Sequence, residues 1–231
     1  MPKSAMTSSL DEKRLPLSRE RVLRGAVDVA DAGGVGSLTM RSLAQHLGVR
    51  PMALYYHVAN KGEILDGIVD LVFSEIELPS ADDDWRTGMV RRAQSARSVL
   101  RRHPWAIALL QSRTAAGPAT LRHHDAIIGA LRTAGFSVTM TAHAYALLDS
   151  YIYGFALSEA SLPINGPETV TEVSESMMQQ YATEAYPHLT EFSLEHILKP
   201  GYDFGSEFAF GLDVILDGLN RSIHNGDQPG S

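Results

Sequence analysis

The chain has 231 residues, 44% of them hydrophobic, a formal net charge of -7 and no cysteine. That length suits two helical domains, and the apolar content supports a sizeable core and argues against global disorder. The missing cysteine excludes disulfides, thiolate nucleophiles and cysteine-zinc fingers. The acidic total speaks at first against a polyanionic partner, but the bases are unevenly spread. Between Lys13 and Lys61 stand eight bases and three acids, a local charge of +5, whereas from Gly62 onward acids outnumber bases. A basic head on an acidic body attracts phosphates within a Debye length of about 8 Å at physiological salt. Met1 to Leu10 holds no long apolar run, and no stretch reaches the roughly 18 apolar residues of a membrane span. A cytoplasmic chain with neither secretory signal nor membrane partner is expected.

Residues 1–17 show no sustained period and read as a flexible arm. Ser18 is placed to cap a helix that carries Glu20 in its first turn and Val22, Ala26, Val29 and Ala30 at helical spacing. The run Ala32-Gly33-Gly34-Val35-Gly36 ends it. This run is not a phosphate-cradling loop, because it follows a helix rather than a strand and lacks a Gly-Lys-Ser/Thr ending. Thr39 caps a short helix with Leu43, Ala44 and Leu47, and Gly48 closes it. A second short helix starts at Pro51 and runs through Leu54 to His57. Asn60 and Glu63 have the spacing of a capping box for a helix with Ile64, Leu65, Ile68, Leu71 and Val72.

After Pro79 the composition shifts. Asp82, Asp83 and Asp84 have metal-ligand chemistry, but their place ahead of a helical pattern favours capping. Further helices are expected near 84–102, 104–113, 118–134, 138–160, 168–185 and 203–223, with breaks at Gly135 and at Leu162-Pro163-Ile164-Asn165-Gly166-Pro167. No alternation marks a strand. The expected fold is all-α, an N-terminal three-helix helix-turn-helix domain followed by a larger helical regulatory and dimerisation domain. The divisions are an arm over 1–17, the helix-turn-helix over 18–62, a connecting helix over 63–79, the helical domain over 80–225 and a disordered tail over 226–231.

The two short helices joined at Gly48 carry the function. Ala44 permits a close crossing, Gly48 the sharp turn, and Leu43, Leu47, Val49 and Leu54 bury the inner faces. The outer face of the second helix then fits a DNA major groove. Tyr55, Tyr56 and His57 bring hydroxyl and imidazole groups toward phosphates, although at helical spacing one tyrosine is expected to pack the domain. Lys61 opens the next helix, where the dipole also favours a phosphate.

The segment Leu38-Thr39-Met40-Arg41-Ser42-Leu43-Ala44-Gln45-His46-Leu47-Gly48-Val49, then Leu54-Tyr55-Tyr56-His57-Val58 and Asn60-Lys61, resembles the DNA-binding domain of the tetracycline repressor (TetR) family over about Ser18 to Leu71. The resemblance implies a DNA-contacting set of Thr39, Met40, Arg41, Arg50, Pro51, Met52, Ala53, Tyr55, Tyr56, His57 and Lys61. Pro51, Met52 and Ala53 have few hydrogen-bonding groups, so base reading there would use apolar contacts such as thymine methyls, with Arg41 and Arg50 beside them.

Leu131-Arg132-Thr133-Ala134-Gly135-Phe136-Ser137 and Tyr153-Gly154-Phe155-Ala156-Leu157 resemble the branch that contains the tetracycline repressor itself. That implies a domain that dimerises through two late helices and encloses a small-molecule pocket. Phe204, Phe208, Leu212, Ile215 and Leu219 form an apolar stripe, Gly211 and Gly218 suggest close helix approach, and Ala142, Ala146, Tyr153, Ala156 and Ala160 suggest a small-residue face. The expected dimer interface is therefore Ala142, Ala146, Ala156, Phe208, Gly211, Leu212, Ile215, Gly218 and Leu219, with ordinary intrachain core as the competing role.

An ungapped alignment anchored on Arg113 and Gly154 puts Leu109 and Ser150 where that repressor has its pocket histidines, and Ser158 where it has a carboxylate. This argues against a magnesium-tetracycline complex, and no cofactor or metal is expected. His103, Trp105, Leu109, Tyr145, Asp149 and Tyr153 are the candidate pocket residues, combining aromatic walls with polar anchors. His123 and His124 diverge by about 100° on a helix and do not face one ion; a solvated face is expected for them. The implied partners are double-stranded DNA with a pseudo-palindromic operator, a second copy of the chain and a small-molecule effector. The expected function is a repressor released by that effector. A ligand-independent or activating regulator is the alternative. A small hydrolase is disfavoured, because the sequence has no nucleophile elbow, zinc-helix motif or phosphate loop.

Overall fold

A computed structural model describes residues 16–80, 83–112, 115–162, 186–199 and 201–225, and every regular element among them is helical. The arm up to residue 15, the helix expected over 168–185 and the tail from 226 lie outside the described residues, as does Asp82. The helices are α1 (Arg19–Ser37), α2 (Met40–Leu47), α3 (Pro51–Leu54), α4 (Lys61–Ser74), α5 (Trp85–Arg102), α6 (Ala106–Ser112), α7 (Pro118–Thr133), α8 (Val138–Ser161), α9 (Pro187–Phe192) and α10 (Glu207–Asn225). A π turn, Ser193–Ile197, follows α9, and a 3-10 turn, Phe204–Ser206, precedes α10. No helix among the described residues is long and apolar enough to cross a membrane.

The helix boundaries follow from local chemistry. Ser18 accepts a hydrogen bond from the Arg21 amide at 3.2 Å and starts α1. The glycine run does not end α1 outright. Gly34 leaves helical geometry at φ 73°, which breaks the helix locally, and helical turns continue to Ser37. Thr39 accepts from the Ser42 amide at 3.0 Å while Ser42 accepts from the Thr39 amide at 2.9 Å, a reciprocal capping box with serine in place of the usual Glu or Gln. Gly48 closes α2 in the left-handed region at φ 68°. Asp84 caps α5 through the Thr87 amide at 3.1 Å, and Asp83 pairs with Arg91 at 2.5 Å, so the described acids of that cluster do capping and pairing work.

The chain divides into two compact units, one up to Ala146 and one from Leu147. In the first, α1 to α3 enclose Val22, Leu23, Ala26, Leu43, Ala44, Leu47 and Leu54. Helix α4 serves two neighbours. Its Gly67 lies against Leu23 of α1, where an added Cβ would come within 2.6 Å of a leucine methyl. Its Asp70 accepts from both the amide and the hydroxyl of Thr120, at 2.8 and 2.9 Å, so it caps α7 from another helix. In the second unit, Phe155 stacks on Phe204 at 4.7 Å and Tyr151 on Phe208 at 5.4 Å, and these rings seat α10 on the later part of α8.

Candidate functional site

Helices α2 and α3 are held on α1 by polar contacts as well as by their core. The Arg21 guanidinium donates to the Leu47 carbonyl at the end of α2, at 3.3 Å. His46 pairs with Asp28 at 3.1 Å. Gly25 faces Leu47, and a Cβ there would lie 2.7 Å from its methyl, so α1 and α2 cross where one has no side chain. The close crossing expected from Ala44 is therefore shared with Gly25.

On this frame the outer surface is exposed. Arg41, Arg50, Pro51, Tyr55 and Lys61 face solvent, as does Thr39, while Met40, Ala53 and His57 are partly covered. Met52 is 71% exposed and Tyr56 87%, with Leu54 between them fully buried. Tyr55 is also exposed, at 48%, so neither tyrosine is taken up by the domain's packing. Helix α3 is only Pro51–Leu54, and the residues to His57 continue as turns anchored on the Leu54 carbonyl.

The described bases of the head divide into two groups. Arg19 pairs with Glu63 at 3.3 Å, Arg24 with Glu20 at 2.7 Å, and Arg21 holds Leu47. Arg41, Arg50 and Lys61 are exposed, and no ion pair joins them to any described residue. These three cations lie on α2, in the α2–α3 turn and at the first position of α4, around the exposed α3 face. At the start of α4, Asn60 accepts from the Glu63 amide at 3.0 Å, and Glu63 accepts from the Ala59 amide at 2.7 Å. The expected capping box thus closes one residue earlier than Asn60. The Ala59 amide and then Arg19 hold the Glu63 carboxyl below the usual carboxylate range, so its charge is committed to the fold.

The residues expected to line a pocket have distinct surroundings. His103 and Trp105 are buried near each other, with ring centroids 6.0 Å apart. Their polar atoms turn to Asp31 of α1, His103 Nδ1 at 2.8 Å and Trp105 Nε1 at 2.6 Å, and His103 Nε2 lies 3.4 Å from Glu75. Leu109 is buried, and the Tyr145 hydroxyl meets His124 Nδ1 at 2.5 Å. Asp149 (buried) and Tyr153 (half-buried) belong to the other unit.

The solvated face expected for His123 and His124 is corrected. His123 is fully buried and receives the buried Arg92 guanidinium at Nε2, at 3.2 Å. Burial, with Arg92 and His124 adding to it, pushes the His123 imidazole down to about 3. The signal was present in the sequence. His123 shares the stripe Ala119, Ile127 and Leu131, and Arg92 the stripe Met89, Ala93, Ala96, so each interrupts an apolar face. Among the described residues no group of acids and histidines is arranged to hold a metal.

Of the expected interface residues, Ala156, Phe208, Leu212 and Leu219 are buried in their own unit, and Ile215 and Gly218 are partly covered. Gly211 accommodates Tyr151, whose hydroxyl donates to the Phe208 carbonyl at 2.9 Å. Ala142 and Ala146 are exposed. On the two long helices of the second unit the larger exposed apolar groups are Leu147 and Leu157 on α8 and Phe210 and Val214 on α10; Tyr186, Leu189, Phe192 and Leu194, in and beside α9, are exposed as well.

An all-helical chain whose basic helix-turn-helix presents uncommitted cations belongs to the class of DNA-binding regulators. Residues 78–223 match the family model of the tetracyclin repressor-like C-terminal domain. The chain is 32% identical over 212 residues to the HTH-type transcriptional repressor DrrR1 of Streptomyces coeruleorubidus, covering 88% of this chain and 77% of that protein. It is 31% identical over 213 residues to the class A tetracycline repressor protein from transposon 1721 of Escherichia coli, covering 89% and 91%. The crystal structure of the Streptomyces coelicolor TetR family protein ActR in complex with actinorhodin superposes with a TM-score of 0.73 at 26% identity, covering 90% of this chain and 99% of that one. The chain belongs to the tetracycline repressor family of transcriptional regulators.

Proposed function

We propose that this chain is a homodimeric repressor that binds a pseudo-palindromic operator and is released by a small-molecule effector. The observation that carries the DNA half is the solvent-facing set Arg41, Arg50 and Lys61 around the exposed Met52 and Tyr56. On this reading Lys61, Tyr55, Tyr56 and His57 fix register on phosphates. Arg41 and Arg50 reach base edges, and Pro51, Met52 and Ala53 present apolar contacts to thymine methyls. Thr39 and Met40 approach the backbone at the start of α2.

The dimer reading is supported by the exposed apolar residues of α8 and α10. Leu147 and Leu157 flank the small residues Ser150, Gly154 and Ser158, and Phe210 and Val214 stand one helical turn apart. A second copy covering these faces forms a two-fold pair, which sets two recognition helices about one DNA turn, roughly 34–36 Å, or somewhat more apart. The effector reading is supported by the likeness to ActR, whose structure holds actinorhodin. Release requires an effector that binds the non-matching dimer geometry more tightly than the operator-matching one. The reading carries a cytoplasmic location, on the nucleoid when bound, and no enzymatic role.

The experiment is fluorescence anisotropy of labelled DNA from the region upstream of the gene, with and without a library of aromatic small molecules. Salt-dependent, site-specific binding that one compound class abolishes is the expected result. Absence of site-specific binding overturns the repressor reading; unchanged affinity across the library overturns the sensing half.

A further inference from the structure

The helix that would read bases is only Pro51–Leu54, a single turn about 6 Å long. So short a helix does not hold its own direction. Leu54, fully buried, pins its far end, and the Ala53 amide donates back to the Arg50 carbonyl at 2.9 Å. Its near end follows the direction in which the chain leaves α2, three residues before Arg50, at Leu47.

That departure is set from α1. Arg21, Gly25 and Asp28 stand on one stripe of α1, and all three meet the last turn of α2. Gly25 admits the Leu47 side chain. Asp28 pairs with His46 at the surface, where an ion pair contributes little. Arg21 acts on the backbone. The carbonyls of a last helical turn need partners from beyond the helix. The Gly48 amide takes those of Ala44 and Gln45, and the Val49 amide shares that of Ala44 at 2.9 Å. The Leu47 carbonyl, the last before the turn, receives the Arg21 guanidinium at 3.3 Å. A cation at the negative end of a helix is favoured there as well. Fixing that carbonyl fixes the Leu47–Gly48 peptide plane, from which the chain turns toward Arg50 and Pro51.

We propose that Arg21 is a positioning residue for sequence-specific DNA recognition, acting through the Leu47 carbonyl on the aim of Arg50 and Met52 and not as a further phosphate-binding cation. This rests on the DNA half of the reading above and assigns a residue that the base count of the head would place with the phosphate contacts. Attraction to phosphates tolerates a small change of angle, because it is carried by charge at long range. Hydrogen bonds to base edges need distance and angle together. Loss of the Arg21 donor therefore falls on the operator and spares random DNA.

The test compares wild type, Arg21→Met and Arg21→Lys as full-length proteins. Methionine keeps an apolar stem and removes the donor; lysine keeps a charge that can donate to the same carbonyl. Anisotropy titrations over a range of salt use the upstream DNA and a random duplex of equal length. Arg21→Met is expected to bind the operator on the order of tenfold more weakly, with random-DNA affinity and salt slope unchanged, and Arg21→Lys to recover most of the loss. Nitrogen-15 spectra without DNA are expected to show the Gly48, Val49 and Arg50 amides shifted in Arg21→Met, with the Ile68 and Val69 amides of α4 in place as evidence that the domain is folded. A salt slope lowered by about 1, with random DNA weakened in parallel, makes Arg21 a phosphate contact and overturns the proposal. Unchanged operator affinity, or unmoved Gly48 to Arg50 amides in either variant's comparison with wild type, overturns it as well. The amide reading needs no DNA, so it stands apart from the repressor reading, on which operator binding by the wild type reports.

Discussion

Lowering the pH should destabilise this protein through His123 in a calculable way. The imidazole is held neutral in the fold, at about 3, against an ordinary value of 6.5. As the pH falls from 7 to 5, the unfolded chain gains a proton here and the folded chain does not. Stability is therefore full above the unfolded value and is lost as the pH falls toward the folded one. Across that interval the loss is about 2 kcal/mol. The size depends on the unfolded value alone, because the folded value lies well below the window. His123→Gln is the matched perturbation, since a carboxamide still accepts from Arg92 but does not titrate. Urea unfolding of both proteins at pH 7 and pH 5, at one protein concentration, isolates the effect from every other titrating group. The stability difference between the two should move by about 2 kcal/mol in favour of the glutamine variant at pH 5. A difference that is the same at both pH values refutes the buried neutral imidazole.

Four further outcomes are expected. Lys61→Ala should weaken operator and random DNA alike and reduce the slope of log affinity against log salt by about 1, and an unchanged slope removes Lys61 from the phosphate contacts. Thr39→Ala removes the α2 capping box and should cost about 1 kcal/mol in thermal or denaturant melts. Gly25→Val drives a side chain into Leu47 and should cost about 1–3 kcal/mol and weaken operator binding with it; a variant as stable as wild type contradicts the close crossing of α1 and α2. Phe210→Glu combined with Val214→Glu should convert the dimer to monomer in sedimentation velocity and abolish tight operator binding, and a persisting dimer rules out the α10 face.

The head was legible because its signals are local. Ser18, Thr39, Gly48, Pro51 and Asn60 each act within four residues of their own position, and each occupies the cap or turn position its chemistry suggests. The glycine run was read less well, since only Gly34 takes a non-helical geometry and Ser37 extends the helix past it. Partners distant in sequence were not legible. Arg21 counts as a base in the sequence, yet it donates to Leu47, and Asp31 reads as a surface acid, yet it receives His103 and Trp105 from more than seventy residues away. His123 and Arg92 were readable in principle as polar interruptions of apolar stripes, but divergence between adjacent helical positions says only that His123 and His124 differ, not which one is buried. The α10 stripe was likewise read correctly as apolar, while the side facing its own α8 became clear only from Tyr151 beside Gly211.

The contact at Asp31 bears on how such a head can be let go. Helix α4 joins the head to the rest of its unit through the continuous backbone and apolar surface, which yield gradually, and through the hydrogen bonds that Asp70 accepts from Thr120. Asp31 offers one oxygen to two donors from the α5–α6 corner, at 2.8 and 2.6 Å. Hydrogen bonds of that kind are lost over a displacement of about 1 Å, whereas apolar packing persists as surfaces slide. The head is thus attached by a compliant rod and a brittle clasp. A modest shift of that corner undoes the clasp while the rod still holds, which leaves α1 to α3 folded but free to turn.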